Sequence, residues 1–230
     1  MTADLALATP PPAPGARRAY SRGERLSDAA VHLAGLALAI GALPVLIAYA
    51  ATWHASPSGL AGLSIYGVTL VAMLSASLAY NHVPRPDLAD RLRQLDLSAI
   101  YLKIAGTVTP FALLSGTGAA FLAAMWSAAG LAAATVFLRR RRSTALSIAI
   151  GLGMGWAVLL GGQGVIATVS WPVLWLMVAG GLLYTLGTPF LVIERMRYHN
   201  TIWHGFVVAA SVLYFVAIFL HAADMATAAT

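Results

Sequence analysis

The stretch RRRRSTALSIAIGLGMGWAVLLGG, residues 139–162, places four consecutive arginines directly before twenty residues that carry no charge. About 20 apolar residues in a helix are enough to cross the hydrocarbon core of a bilayer. Arginines clustered beside such a segment are typical of the cytoplasmic flank of a membrane helix. The stretch therefore predicts a membrane-spanning helix that begins at the cytoplasmic surface.

Long apolar runs of the same kind extend over most of the chain. They predict helices at Ala29–Thr52, Leu60–Asn81, Leu97–Leu114, Gly118–Leu138, Thr144–Gly164, Trp171–Ile193 and Thr201–Ala222. The composition agrees, because 60% of the 230 residues are hydrophobic and only 10% are charged, whereas soluble domains are about a quarter charged. The chain has no cysteine, which excludes disulfides and thiolate metal sites. We predict an all-α integral membrane protein, a bundle of seven transmembrane helices.

Basic residues occur in alternate connections between these runs. Thirteen of the fourteen lie in the N-terminal segment or after the second, fourth and sixth runs, and the fourteenth is Lys103. The positive-inside rule then predicts a cytoplasmic N-terminus, an outer C-terminus and a location in the cell (inner) membrane. Because the positive charge lies at the membrane surface, we predict membrane lipids rather than nucleic acid as partners. The sequence does not indicate an oligomeric state.

The chain divides into three regions. Residues 1–28 form a basic, Pro-rich cytoplasmic tail that is predicted to be partly disordered, because it lacks apolar periodicity. Residues 29–222 form the seven-helix domain, and residues 223–230 form a short outer tail. Within the domain, Gly151, Gly153 and Gly155 predict close helix packing, since no strand precedes them as in a phosphate-binding loop.

Polar and ionisable residues near the cytoplasmic ends of the first, second, third and seventh runs are the candidates for a functional site. Such groups are costly in a bilayer and usually face the bundle interior or water. They are His32, Ser77, Asn81, His82, Asp96, Lys103, His199, Asn200 and His204. Two interpretations remain open, a shared polar pocket and separate side chains that are each hydrated by lipid headgroups.

Three stretches resemble the bacterial hemolysin III proteins, which belong with the progestin and adipoQ receptors and, more distantly, the alkaline ceramidases. They are LSDAAVHLAG at 26–35, SLAY at 77–80 with RQLDLSAIYLKIAGTVTP at 93–110, and GLLYTLG at 181–187 with NTIWH at 200–204. The resemblance covers nearly the whole predicted membrane domain in the same order. It implies a seven-helix bundle with a zinc ion near the cytoplasmic face.

The resemblance also implies the residues of that zinc site. The family pattern is Ser-x-x-x-His on the second helix, Asp on the third and His-x-x-x-His on the seventh. Three imidazoles leave a fourth zinc position for water, and the resulting hydroxide can attack an amide or ester carbonyl. By this resemblance Ser77 and Asp96 are catalytic candidates, as oxyanion donor and proton carrier, and His204 is a metal ligand.

This sequence departs from the family pattern at two of the three zinc histidines, which are Asn81 and Asn200. A carboxamide is not among the usual protein ligands of zinc. His82 and His199 stand beside these asparagines and are the alternative ligands, together with His204. On an ideal helix, however, neighbouring residues point about 100° apart.

Lys103 allows a different interpretation. Its stem is directed back toward the start of its helix, so its ammonium could replace the charge of zinc and pair with Asp96. The alternative is that Lys103 extends to the cytoplasmic headgroups.

Two functions remain open. The first is a hemolysin III-like membrane protein with a degenerate cytoplasmic-side polar or metal site, related to membrane lipids but not catalytic. The second is a zinc-dependent lipid amide or ester hydrolase with a rewired histidine site, and zinc is implied only by the resemblance. A secreted cytolysin is disfavoured, because no stretch is typical of a cleavable signal and the chain is built to stay in its membrane.

Overall fold

The computed structural model describes residues 20–53, 55–138 and 143–228. Within these ranges all regular structure is helical. The helices are α1 (Arg22–Thr52), α2 (Pro57–His82), α3 (Ala89–Ser115), α4 (Ala119–Leu138), α5 (Thr144–Gly161), α6 (Gln163–Ile166), α7 (Trp171–Val192) and α8 (His199–Ala228). All but the short α6 are long and apolar enough to cross a membrane, which confirms the predicted fold class. The arginine cluster at 139–142 and the first nineteen residues of the predicted tail lie outside the described ranges.

Three helices have an end that differs from the prediction by six residues or more. Helix α1 begins at Arg22 rather than Ala29, because Ser21 and Glu24 form a capping box that satisfies two backbone N–H groups at its start. Residues 22–28 of the predicted tail are therefore helical. Helix α3 begins eight residues before the predicted Leu97, since its polar first turns contain good helix formers. Helix α8 starts at His199 and continues to Ala228, six residues beyond its predicted end.

Helix α3 lies at the centre of the bundle. It packs against α2, α4, α5 and α8, while α1 contacts α2 and α8, and α7 pairs with α8. A Cβ atom at Gly106 would lie 2.1 Å from Oγ1 of Thr69, so α2 and α3 are in close contact there. This packing brings the first turns of α1, α3 and α8 to the same end of the bundle as the last turn of α2. That end carries nearly all the polar candidates.

Close packing is found at Gly161 of α5, where a Cβ atom would lie 3.3 Å from the ring of Phe121 on α4, but not at the three glycines before it. A Cβ atom at Gly153 or Gly155 would meet no other atom within 4 Å, and one at Gly151 would meet only Ile104, at 3.8 Å. The predicted close packing is therefore wrong at these three positions. Gly151 and Gly155 instead line an internal cavity, to which they contribute no side chain.

Candidate functional site

Asp28 of α1 is the centre of a buried polar cluster. Its carboxylate Oδ1 accepts a hydrogen bond from Nδ1 of His204 at 2.7 Å, and its Oδ2 accepts one from Nε2 of His82 at 2.9 Å. Asp28 is only 3% exposed, and its bond to His204 is buried, whereas the His82 side chain is 20% exposed. The bond to His204 is therefore the one that is shielded from water and correspondingly strong. One carboxylate thus joins α1, α2 and α8.

Two further members, His32 and Ser77, complete what we call the Asp28 cluster: Asp28, His32, Ser77, His82 and His204. Nδ1 of His32 donates to the backbone carbonyl of Asp28 at 2.9 Å. Its Nε2 lies 3.2 Å from Oγ of Ser77, and Nε2 of His204 lies 3.3 Å from the same oxygen. A serine hydroxyl has one hydrogen for these two nitrogens. One of the two nitrogens therefore faces Oγ of Ser77 without a hydrogen between them, so its lone pair is available to a proton or to a cation.

The asparagines at the two family zinc positions bind each other. Nδ2 of Asn200 donates to Oδ1 of Asn81 at 2.8 Å, and Nδ2 of Asn81 donates to the carbonyl of Ser77 at 2.9 Å. Of the three family histidine positions only His204 is an imidazole, and its Nδ1 is bound to Asp28. The family's three-histidine zinc set therefore does not fit the residues of this chain.

The structure separates His199 from the other predicted ligands. Nδ1 of His199 donates to the carbonyl of Phe190 at 2.9 Å, and its Nε2 accepts from the hydroxyl of Tyr20 at 2.9 Å. The side chain therefore joins the start of α8 to the end of α7 and to the segment before α1. His82 and His204, in contrast, meet at Asp28.

A different group of side chains is spaced for a metal ion. Asp28, His32 and His82 each offer a ligand atom, and these atoms lie within 4.8 Å of one another. Carboxylate oxygen and imidazole nitrogen are both ligands that zinc accepts. This group shares only His82 with the predicted set of His82, His199 and His204.

A cavity of about 200 Å³ lies beside the Asp28 cluster, between α2, α3, α5, α7 and α8. Ser77, Asp96 and His204 line it at the polar end, and Asp96 is half-buried there. The predicted catalytic pair and the predicted metal ligand are thus gathered on one cavity wall. Most of the remaining wall is apolar.

Lys103 lines the same cavity but is not paired with Asp96. Its Nζ donates to the hydroxyl of Tyr184 at 2.7 Å and lies 4.6 Å from the centre of that ring. The residue is 3% exposed, so it does not reach a headgroup region either. Neither interpretation of Lys103 from the sequence describes its position.

Asp28 is the member of the cluster that sequence reasoning missed. It stands four residues before His32, a spacing that places both on one helix face, but the predicted tail of residues 1–28 leaves it outside the first helix. The signal was present in Ser21-x-x-Glu24, the pattern of a helix start. A helix that begins there includes Asp28 and buries it.

Comparison with known proteins identifies relatives of this architecture. The family model described as Haemolysin-III related matches residues 24–215. A hemolysin-3 homolog from Bacillus subtilis (strain 168) is 33% identical over 203 residues, which cover 86% of this chain and 94% of the relative. Hemolysin-3 from Bacillus cereus is 31% identical over 205 residues, with 86% and 91% covered. A bundle of seven membrane-length helices and a match that includes all of the Asp28 cluster establish that the chain belongs to the haemolysin III-related family.

Proposed function

We propose that the protein holds a single-chain membrane lipid inside its helix bundle and does not hydrolyse it. The observation that carries this proposal is the cavity of about 200 Å³, which is polar at the Asp28 cluster and apolar along most of its length. Small-molecule sites combine mostly apolar walls with a few polar groups in this way. The apolar wall includes Met73, Ile100, Ile104, Val108, Leu152 and Met177. A cavity of this size suits one alkyl chain better than two.

The residues at the family's zinc positions support the part of the proposal that excludes hydrolysis. Hydrolysis by the family pattern needs three imidazoles on zinc, and this chain has the Asn81–Asn200 hydrogen bond at two of those positions. Ser77 and Asp96 would then have structural and binding roles rather than catalytic ones. Ser77 already bridges His32 and His204.

The polar end of the cavity faces the cytoplasm in this proposal, and the membrane is the inner cell membrane. The connection between α2 and α3, at the same end as the Asp28 cluster, carries Arg85, and Arg91 and Arg93 lie in the first turns of α3. Arginines of this kind are retained on the cytoplasmic side of membrane helices. The lipid would therefore come from the inner leaflet.

We expect Gly155→Leu to lower the amount of lipid that co-purifies with the protein by at least half. Gly155 lines the cavity and has open space at its Cβ position, so a leucine there extends into the lipid's volume. Native mass spectrometry from a mild detergent measures the occupied fraction. Gly153→Leu is the matched control, since Gly153 is exposed on the same helix, has the same open space and is not part of the cavity wall. Equal lipid occupancy in the two variants would count against the proposal.

The second candidate function is a zinc-dependent lipid hydrolase with a rewired site. The spacing of Asp28, His32 and His82 favours it. In this case zinc would be held by those three residues rather than by the family positions.

We expect far less than stoichiometric zinc in protein purified without chelators and measured by inductively coupled plasma mass spectrometry. Stoichiometric zinc that is lost in His82→Ala and Asp28→Asn would favour the second candidate instead, because it would show the metal site that this candidate requires. His199→Ala separates the two possible sites. Zinc that persists in this variant would be held by Asp28, His32 and His82. Zinc that is lost would involve His199.

A further inference from the structure

Lys103 is the only lysine of the chain, and it lies near the middle of a membrane-length helix. It is fourteen residues past Ala89 and twelve before Ser115, the ends of α3. At 1.5 Å per residue, about 18 Å of helix separate it from the nearer end. A lysine side chain is far too short to bring its ammonium to the membrane surface from this position.

The groups around the Lys103 ammonium are neutral. Nζ donates to the hydroxyl of Tyr184, and it lies 4.6 and 5.2 Å from the ring centres of Tyr184 and Tyr214. The Tyr184 hydroxyl lies 3.0 Å from Oγ of Ser211. In the part of the chain that the structure describes, no carboxylate forms an ion pair with Lys103.

A buried charge in this position needs a counter-charge. Cation–π contacts with two tyrosines offset part of the cost of removing the ammonium from water. A charged group within a membrane bundle is nevertheless expensive and is usually paired or faces a functional cavity. Lys103, Tyr184 and Tyr214 all line the cavity, so there is space beside the ammonium for a group that comes from outside the chain.

We propose that Lys103 binds the acidic headgroup of the lipid in the cavity. The ligand class is a single alkyl chain that ends in a carboxylate or a phosphate monoester. The proposal rests on the proposed function, since it concerns the same cavity, and it adds the charge and the position of the headgroup. The Lys103 ammonium and the Tyr184 hydroxyl would both contact the acidic oxygens. The alkyl chain would lie along the wall where Gly151 and Gly155 contribute no side chain.

The single lysine makes a direct test possible. Protein labelled with ¹³C at the lysine ε-carbon and placed in phosphatidylcholine nanodiscs contains one labelled side chain. We expect titration with hexadecanoate or hexadecyl phosphate to shift this NMR signal, and hexadecanol to leave it in place. The two acidic ligands distinguish a carboxylate source from a phosphate source. An unchanged signal with both acids, or the same shift with hexadecanol, would overturn the proposal.

Binding measured on variants completes the test. Lys103→Met keeps the length of the side chain and removes a charge whose burial is itself costly. A hydrogen bond between charged groups contributes enough that we expect Lys103→Met to weaken hexadecanoate binding about tenfold or more. Hexadecanol binding should change little. Arg85→Met is the control, because that arginine is 59% exposed in a connection and pairs with Asp87.

The outcomes separate the two proposals. Binding of hexadecanol and hexadecanoate with equal affinity, unchanged in Lys103→Met, would overturn the role of Lys103 and leave a lipid in the cavity. Failure of all three ligands to bind wild-type protein would overturn the proposed function as well.

Discussion

Asp28→Leu is expected to destabilise the protein by about 2–4 kcal/mol, because it removes the acceptor of two histidine N–H groups and each buried donor left unsatisfied costs about 1–3 kcal/mol. The substitution leaves the N–H groups of His82 and His204 without their acceptor, and His204 is buried whereas the His82 side chain is 20% exposed. It also removes the contact that joins α1, α2 and α8. Thermal unfolding in detergent, followed by size-exclusion chromatography of heated samples, measures the effect.

Two further variants make the Asp28 prediction specific. Asp28→Asn retains one carbonyl acceptor, so its loss of stability should be clearly smaller than that of Asp28→Leu. Asp87→Leu removes an exposed acid that pairs with Arg85, and it should change the midpoint temperature of unfolding little. If Asp28→Leu and Asp87→Leu unfold at the same temperature, the carboxylate does not hold the three helices together.

Gly106→Ala is expected to lower stability by about 1–3 kcal/mol, the typical cost of overpacking. The added Cβ would lie 2.1 Å from Oγ1 and 2.9 Å from Cβ of Thr69. Thr69 cannot rotate away without losing its own bonds, because its hydroxyl donates to the carbonyls of Ile65 and Tyr66. The new methyl group must therefore push α2 and α3 apart. The same unfolding assay measures the loss.

A double-mutant cycle tests the cause of the Gly106 effect. Thr69→Gly should restore part of the stability that Gly106→Ala loses, since residues in contact show coupled energies. Gly130→Ala is the matched control, because a Cβ at Gly130 would meet no atom within 4 Å. It should be neutral or slightly stabilising, as alanine favours a helix more than glycine does. Independent effects of Gly106→Ala and Thr69→Gly would contradict the close contact.

The start of α1 shows that a longer apolar run can suggest one helix boundary while a shorter local pattern determines another. The apolar run that begins at Ala29 predicted the start of α1, whereas the capping box of Ser21 and Glu24 determines it. Glu24 also accepts a hydrogen bond from the backbone N–H of Tyr198 at 3.0 Å. The capping box is visible in the sequence, but the bond to Tyr198 joins residues 174 positions apart and is not.

The candidate site was predictable only in part, because some of its contacts follow from spacing along a helix and others from the packing of distant helices. Spacing and family pattern identified Ser77, Asp96 and His204, and these residues do line one cavity. Asp28 was missed, because its significance depends on His82 and His204 approaching from two other helices. The mutual hydrogen bond of Asn81 and Asn200, likewise, depends on how α2 and α8 pack.

The sequence by itself determined that this chain has seven membrane-length helices, since about 20 apolar residues in a row have few stable alternatives to a helix in lipid. It also determined the family, because motifs that occur in the same order as in the family can be recognised without knowledge of the packing. Only the tertiary structure decided which polar groups meet. Hydrogen bonds act over about 3 Å, so the partner of Asp28 or Lys103 depends on helix rotations and distances that no local pattern encodes.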